Sequence, residues 1–352
     1  MHEAILYKKL DNNKVHCTAC KQNCIISPNN TGICSVRQNR DGRLYLLVYG
    51  KAASFNIDPI EKKPLYHFMP KTEIFSLGTV GCNFSCGFCQ NWDMSQITKD
   101  LKNKLLKEKK IADIDVEISK FGYNLSPEQI VEICSEKNIP SIAYTYNEPS
   151  IFFEYAYDTA KLANKKGIKN VFVTNGYETE EALKLLKPYL NAMNIDLKSF
   201  NDEFYKKICK ARLQPVLDTI KLAHELGIRI EITTLIIPGK NDSDAELKKI
   251  ANFISSIDKN IPWHVNAFHP DYKMVDIPST SYETLNKAYN IGEKAGLKYL
   301  YVGNIHDDKH SNTYCPKCKT LLIKRDGYFT SIENLKNGKC KKCSEKIAGV
   351  WK

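Results

Sequence analysis

The 352-residue chain is 43% hydrophobic and 10% aromatic, enough for a packed globular core. Its longest apolar runs fall far short of the ~20 residues of a membrane-spanning helix. Its opening, Met1 to Leu10, is too charged for a secretory leader, so a cytoplasmic protein with no membrane partner is expected. The net charge of +11 suits nucleic acid or another acidic partner, and equally a solvated Lys-rich surface.

In chain order, residues 1–70 begin with Cys17, Cys20, Cys24 and Cys34, spaced C-x2-C-x3-C-x9-C, followed by a strand-like run at 43–49. In a cytosolic chain such a set reads as a metal site. The tight spacing and the turn-rich 27–32 loop suit one metal. Zinc is preferred, and a [4Fe–4S] cluster stays open because spacing does not fix the metal.

Residues 71–304 alternate short apolar or β-branched runs (73–78, 141–146, 170–174, 192–197, 229–237, 264–268 and 298–302) with amphipathic stretches (127–137, 152–166, 180–187, 216–226, 245–257 and 282–295). This grammar predicts an α/β fold: a parallel sheet of right-handed βαβ units, amounting to a partial (β/α)6 barrel. In such barrels the chemistry sits at the C-terminal ends of the strands. Ser126-Pro127-Glu128 reads as a helix cap, and Gly167 and Gly227 each close a helix before a strand. The Lys-rich segment 98–120 reads as a charged, partly helical surface insertion.

Residues 305–352 carry Cys315, Cys318, Cys340 and Cys343 as C-x2-C-x21-C-x2-C. This is close to the zinc-ribbon template, with predicted strands at 320–324 and 328–331 around Asp326-Gly327. Four thiolates suffice for zinc, so His306 and His310 are not needed. A rubredoxin-like iron or an auxiliary cluster remains the alternative. The fold therefore carries small Cys-rich metal-binding modules at both ends. Cys134 and Cys209 stand alone and read as buried apolar thiols.

The most specific motif follows the 73–78 strand. Cys82, Cys86 and Cys89 are spaced C-x3-C-x2-C, with Phe88 before the last. Three thiolates on one loop can ligate three irons of a cubane and leave the fourth open for chemistry. The competing reading is zinc with a histidine as fourth ligand, yet the nearest candidates are His67 upstream and His224 downstream.

This triad, with its aromatic Phe88, resembles the signature of the radical S-adenosylmethionine (SAM) superfamily. The likeness is narrower to glycyl-radical (pyruvate formate-lyase) activating enzymes and to the radical SAM member of the AmmeMemoRadiSam system. It extends over nearly the whole chain, through Gly32-x-Cys34-x-Val36-Arg37-x-Asn39, Thr79-Val80-Gly81-Cys82-Asn83-Phe84, Thr145-Tyr146-Asn147-Glu148-Pro149, Val173-Thr174-Asn175-Gly176 and Asn194-x-Asp196-Leu197-Lys198. The resemblance implies a [4Fe–4S] cluster whose open iron binds SAM. One electron, from reduced ferredoxin or flavodoxin, then cleaves SAM to a 5′-deoxyadenosyl radical that abstracts hydrogen from a substrate. It further implies that Glu148 binds the SAM amino group. Lys198, beside Asp196, could pair with the SAM carboxylate, and Asn175, after Thr174, could reach the ribose. Ile237 lies in a segment that packs on adenine, and His269 could touch SAM or substrate. Where activating enzymes carry an Asp for a monovalent cation, this chain has Val173.

Three functions are thereby in play. One is a radical SAM enzyme acting on a protein, including a glycyl-radical enzyme. Another is a radical SAM enzyme that modifies RNA, suggested by charge and ribbon. The last is a non-catalytic zinc protein that binds nucleic acid.

Overall fold

The computed structural model describes residues 1–307 and 309–352; residue 308, inside the expected 305–352 module, lies outside the described residues. The chain divides into two compact units. The first comprises Met1–Ile57, Ile74–Asn191 and Cys209–Ala211; the second comprises Asp58–Glu73, Ala192–Ile208 and Arg212–Lys352.

The fold is mixed α/β with a mostly parallel central sheet. In the first unit, β1 (Glu73–Gly78), β2 (Ser141–Tyr144) and β3 (Lys169–Thr174) are parallel neighbours, with Ile142 opposite Phe75 and Ser141 opposite Lys169. All four residues of β2 are buried, as a parallel strand covered on both faces requires. Helices α1 (Ile97–Lys107), α2 (Pro127–Glu136), α3 (Phe153–Lys165) and α4 (Glu180–Leu186) belong to the same unit. Ser126 opens α2 with a reciprocal capping box to Gln129, the start signalled by Ser-Pro-Glu in the sequence.

In the second unit, β4 (Ala192–Asp196), β5 (Arg229–Ile236), β6 (Trp263–Ala267) and β7 (Leu300–Gly303) pair in sequence order, all parallel. Helices α5 (Leu213–Glu225), α6 (Asp244–Ile257) and α7 (Tyr282–Lys294) make the crossovers. In α6 the buried residues Leu247, Ile250, Ala251 and Ile254 recur at helical spacing and form its core-facing stripe. Every strand expected between 71 and 304 is therefore present.

Two short antiparallel sheets precede the parallel strands. In one, Arg43–Leu46 lies between His2–Glu3 and Arg37–Arg40; in the other, Val15–Cys17 lies between Tyr7–Lys9 and Ile25–Ile26. Arg37 anchors this region to α3. Its guanidinium forms a buried ion pair with Glu154 at 2.5 Å and donates to the Ile151 carbonyl at 3.0 Å. Toward the C-terminus, Leu321–Asp326 and Phe329–Ile332 form the expected hairpin.

The Lys-rich insertion differs from its expectation in one respect. Lys104 and Lys107 are solvated, as a charged surface helix requires, but Lys99 and Lys102 of α1 turn inward. Lys102 Nζ donates to the carbonyls of Thr31 and Gly32 at 2.8 and 3.0 Å, so α1 buttresses the first cysteine segment. Charge alone hid this, because a lysine stem can run along a packed surface while its ammonium finds carbonyl acceptors.

Candidate functional site

The loops leaving β1, β2 and β3 carry the chemistry of the first unit, at the strand ends where a parallel sheet presents its ligands. The β1 loop turns at Gly81, whose φ is +94°; a Cβ there would lie 2.9 Å from the Cys34 carbonyl oxygen and from Val36 Cγ1. Glycine is therefore required, and the turn brings Cys82, Cys86 and Cys89 onto one short loop. Cys86 is buried, and Cys82 and Cys89 are half-buried. Phe88 is buried. The Phe84 N–H donates to Cys82 Sγ at 3.4 Å, the Ser85 N–H to the Cys209 carbonyl at 2.9 Å, and Cys89 Sγ lies 3.3 Å from Ser95 Oγ. Burial pushes the Cys82 thiol up to about 12, against the pull of the nearby Lys99 ammonium. Lys99 itself is lowered by burial, with the thiolates of Cys82 and Cys86 opposing, and it donates to the Phe84 carbonyl and to Ser85 Oγ.

Behind this loop lies an acidic pocket. Glu148 is 1% exposed. It accepts the N–H groups of Ser150 at 3.0 Å and Asn175 at 2.8 Å, and lies 3.0 Å from Thr174 Oγ1. Among the described residues no basic side chain forms an ion pair with it. Burial raises its pKa and those two N–H groups lower it. Asn175 Nδ2 donates to Asn83 Oδ1 at 2.8 Å, which ties the pocket to the residue after Cys82, while Asn175 Oδ1 is buried without a hydrogen-bond partner among the described residues. Glu178, which no motif had singled out, lies 2.6 Å from Thr174 Oγ1. Burial and the Glu148 charge push it up to about 8.

Cys82, Cys86, Cys89, Phe88, Glu148, Thr174 and Asn175 thus gather in the first unit. Asn83, Lys99 and Glu178 join them; their only trace in the sequence was the position of Asn83 inside the triad motif.

The remaining candidates belong to the second unit. Lys198 Nζ pairs with Asp196 at 2.7 Å just beyond the end of β4. Ile237 follows β5, fully buried, its N–H held at 2.6 Å by Asn241 Oδ1. His269 is exposed beyond β6. His264 is a structural histidine: its Nε2 meets the buried Glu231 carboxylate at 2.7 Å. His67, the upstream histidine weighed as a zinc ligand, has both ring nitrogens engaged, by Tyr301 Oη and the Ala348 carbonyl, each at 2.6 Å.

In the C-terminal module the four thiols converge. Cys315 and Cys343 lie 3.5 Å apart at sulfur, Cys318 and Cys340 lie 3.7 Å apart, and all four ligand atoms fall within 4.8 Å of one another. The two knuckles share one backbone device: Lys319 and Ser344, each directly after a second cysteine, have φ of 57° and 60°. A single tetrahedral ion at about 2.3 Å from each sulfur spreads its thiolates by roughly 3.8 Å, which this set matches. Among the described residues it is the one cysteine set so gathered. Cys17, Cys20, Cys24 and Cys34 instead line a cavity with Arg37 and Ile151. Cys134 and Cys209 are fully buried and outside all three sets, as expected.

These residues fit the cofactors that the triad implies. Its thiols are not drawn together around one ion, and the adjoining pocket offers an uncompensated buried carboxylate and an unsatisfied amide oxygen to a polar, cationic ligand. Comparison with known proteins agrees. Residues 76–254 match the model of the Radical SAM superfamily. An uncharacterised protein of Methanocaldococcus jannaschii is 46% identical over 99% of both chains. The pyruvate formate-lyase-activating enzyme of Clostridium pasteurianum is 25% identical, covering 59% of this chain and 84% of its own. The crystal structure of a radical SAM methyltransferase from Sphaerobacter thermophilus superposes with a TM-score of 0.50 at 16% identity, over 67% of each chain. On the matched strands, the cysteine loop and this overall likeness, the chain belongs to the radical SAM superfamily.

Proposed function

We propose that the chain is a radical SAM enzyme in which Cys82, Cys86 and Cys89 hold three irons of a [4Fe–4S] cluster, with SAM in the pocket of Glu148, Thr174 and Asn175. One observation carries this reading: Glu148 is a buried carboxylate with two N–H donors and no cationic partner among the described residues, one loop from the triad. An ammonium is the ligand that such a site lacks, and the contact is of the charge-assisted kind. When bound, cluster and SAM supply reductive homolysis of the C5′–S bond and hydrogen abstraction by the 5′-deoxyadenosyl radical. The chain's own part is to orient and shield. Gly81 sets the turn of the cysteine loop, and Asn83 and Asn175 brace its first cysteine. Phe88 adds a buried aromatic ring to the loop, and Lys99 offsets thiolate charge. For Lys198, Asp196, Ile237 and His269, in the second unit, the roles that the resemblance implies toward the SAM carboxylate, adenine and substrate are proposed on that resemblance alone. The electron donor is proposed to be reduced ferredoxin or flavodoxin.

The favoured substrate is a protein, including a glycyl-radical enzyme, in line with the relative named as an activating enzyme. A second reading, RNA, draws on one observation: Tyr328 and Phe329 at the hairpin tip are 57% and 76% exposed on a chain of net charge +11. The C-terminal cysteines are proposed to hold structural zinc. The deciding experiment is anaerobic turnover with deuterated protein or deuterated RNA as candidate hydrogen donor. Deuterium appearing in 5′-deoxyadenosine from the protein alone supports the favoured reading. Label from the RNA alone reverses the order of the two. Absence of 5′-deoxyadenosine in an iron-replete, reduced sample removes both.

A further inference from the structure

The structure contains its own standards for what a cysteine set holds. The C-terminal four collapse to sulfur separations of 3.5 and 3.7 Å, the spacing of ligands around one ion. Cys82, Cys86 and Cys89, which carry the superfamily's cluster motif, do not: among the described residues they form no group within 4.8 Å. The N-terminal four behave like the triad. No three of Cys17, Cys20, Cys24 and Cys34 bring their sulfurs within 4.8 Å of one another, yet all four line one cavity. A mononuclear ion draws its ligands close together, whereas a cubane, with irons and sulfides at alternate corners, holds the thiolates on its four irons well apart.

Backbone contacts fix each of these four cysteines. Cys17 ends a strand, and its N–H donates to the Cys24 carbonyl at 2.9 Å. Cys34 is held by Thr98 Oγ1, which donates to its carbonyl at 3.1 Å, and Lys102 grips the carbonyls of Thr31 and Gly32, three and two residues before it. The Ile33 N–H donates to Cys24 Sγ at 3.5 Å, as the Phe84 N–H does to Cys82 Sγ. Cys20 is pinned from another side by a bridge to Glu178, and the Lys21 N–H donates to the Tyr177 carbonyl at 2.7 Å. Cys20, Cys24 and Cys34 are thus fixed by separate contacts, Cys17 is tied to Cys24, and all four line one cavity. Three of the four cysteines are buried and Cys24 is half-buried, so a guest would be shielded from solvent.

We infer that Cys17, Cys20, Cys24 and Cys34 hold a second [4Fe–4S] cluster, not zinc. Four protein thiolates cap all four irons, so this cluster has no open corner and takes no substrate. It lies beside the first: Asn83, the residue after Cys82, lines the same cavity, Gln22 Nε2 donates to the Asn83 carbonyl at 2.9 Å, and the Cys34 carbonyl packs against Gly81. The inference rests on sulfur placement and, through the triad taken as its standard, on the cluster reading proposed above.

The experiment is metal and acid-labile sulfide analysis of the full chain, prepared anaerobically and reconstituted with iron and sulfide, alongside two variants. One carries Cys82→Ala, Cys86→Ala and Cys89→Ala; the other carries Cys17→Ser, Cys20→Ser, Cys24→Ser and Cys34→Ser. The expected result is about eight irons and eight sulfides in the parent chain, with the triad variant keeping half of each, brown, with the Mössbauer doublet of a cubane. A triad variant that is sulfide-free and holds zinc at the N-terminal thiols overturns the inference. Should the second variant misfold, the parent stoichiometry and the triad variant still decide. A parent chain whose only cluster survives in the triad variant would refute the radical SAM reading instead, so the two failures are distinguishable.

Discussion

Glu148 and Glu178 converge on the single hydroxyl of Thr174, whose oxygen lies 3.0 Å from Glu148 Oε2 and 2.6 Å from Glu178 Oε1. One hydroxyl proton cannot satisfy two carboxylates. The arrangement closes if Thr174 donates to Glu148 while a protonated Glu178 donates to the Thr174 oxygen. Burial and the neighbouring negative charge both favour that proton, which agrees with Glu178 being raised to about 8.

A pH dependence follows, with a definite sign. A carboxyl raised in the folded state binds its proton more tightly there than in the unfolded chain. Its contribution to stability is full below 4.5 and is lost as pH rises toward about 8. The SAM-free protein should therefore melt at progressively lower temperature as pH rises across that window, and Glu178→Gln should flatten the trend. Calorimetry at stepped pH checks this; equal slopes in parent and variant would show that Glu178 does not carry the proton.

Glu148→Gln keeps the shape of the pocket and removes its charge. If an ammonium sits there, the loss of a charge-assisted hydrogen bond of about 1.5–3 kcal/mol should weaken SAM binding roughly ten- to a hundredfold. Iron content should not change, since Glu148 is not a proposed ligand. Anaerobic calorimetric titration with SAM, paired with iron analysis, separates the two effects. Unaltered affinity would place the amino group elsewhere.

How far the sequence revealed these features depends on range. The strands 73–78 and 229–237 were legible because a parallel strand is a short apolar run between helix signals, and the triad because its spacing is local. The partners that make the site work are not local. Glu178 is four residues beyond Thr174, with no periodicity or motif to mark it, and it matters only because β3 ends where β2 does. Lys99 and Lys102 sat inside LKNKLLKEKK and its flank, where composition reads as solvent-facing; only the packing of α1 reveals their carbonyl acceptors. The arrangement of the N-terminal cysteines was equally hidden, since sulfur separation is a three-dimensional quantity that the spacing C-x2-C-x3-C-x9-C does not encode.

Arg37 and Glu154 form a long-range ion pair in the first unit in which both side chains are almost wholly buried, at 2% and 1% exposure. Breaking such a pair leaves a charge stranded, at a cost of about 3–5 kcal/mol. Glu154→Gln should destabilise the chain by that order in denaturant titration. It should also loosen the Cys17 and Cys34 segments, because Arg37 lies on the wall of their cavity. Hydrogen exchange of residues 15–40 reads this second effect. A variant as stable as the parent, with unchanged exchange, would show that the pair is dispensable.

The C-terminal module makes the sharpest contrast between metal and core. Its buried cluster, among it Tyr299, Tyr301, Leu322, Ile323, Leu335 and Ile347, incorporates Cys315 and Cys340, so two of the proposed metal ligands are part of the packing. A structural zinc supplies on the order of 10 kcal/mol of binding free energy that is also folding free energy. If the proposed zinc sits on these four thiols, Cys343→Ser, or a strong chelator on the parent chain, should release one zinc. It should also expose the hairpin Leu321–Asp326 and Phe329–Ile332 to protease, while the iron of the first unit stays in place. Cys315 is fully buried and cannot reach water without the module opening, so cleavage and zinc loss should rise together. Mass spectrometry of the trimmed chain with parallel zinc and iron counts reads the outcome. A module that sheds its metal yet resists cleavage would mean that the apolar cluster folds it unaided.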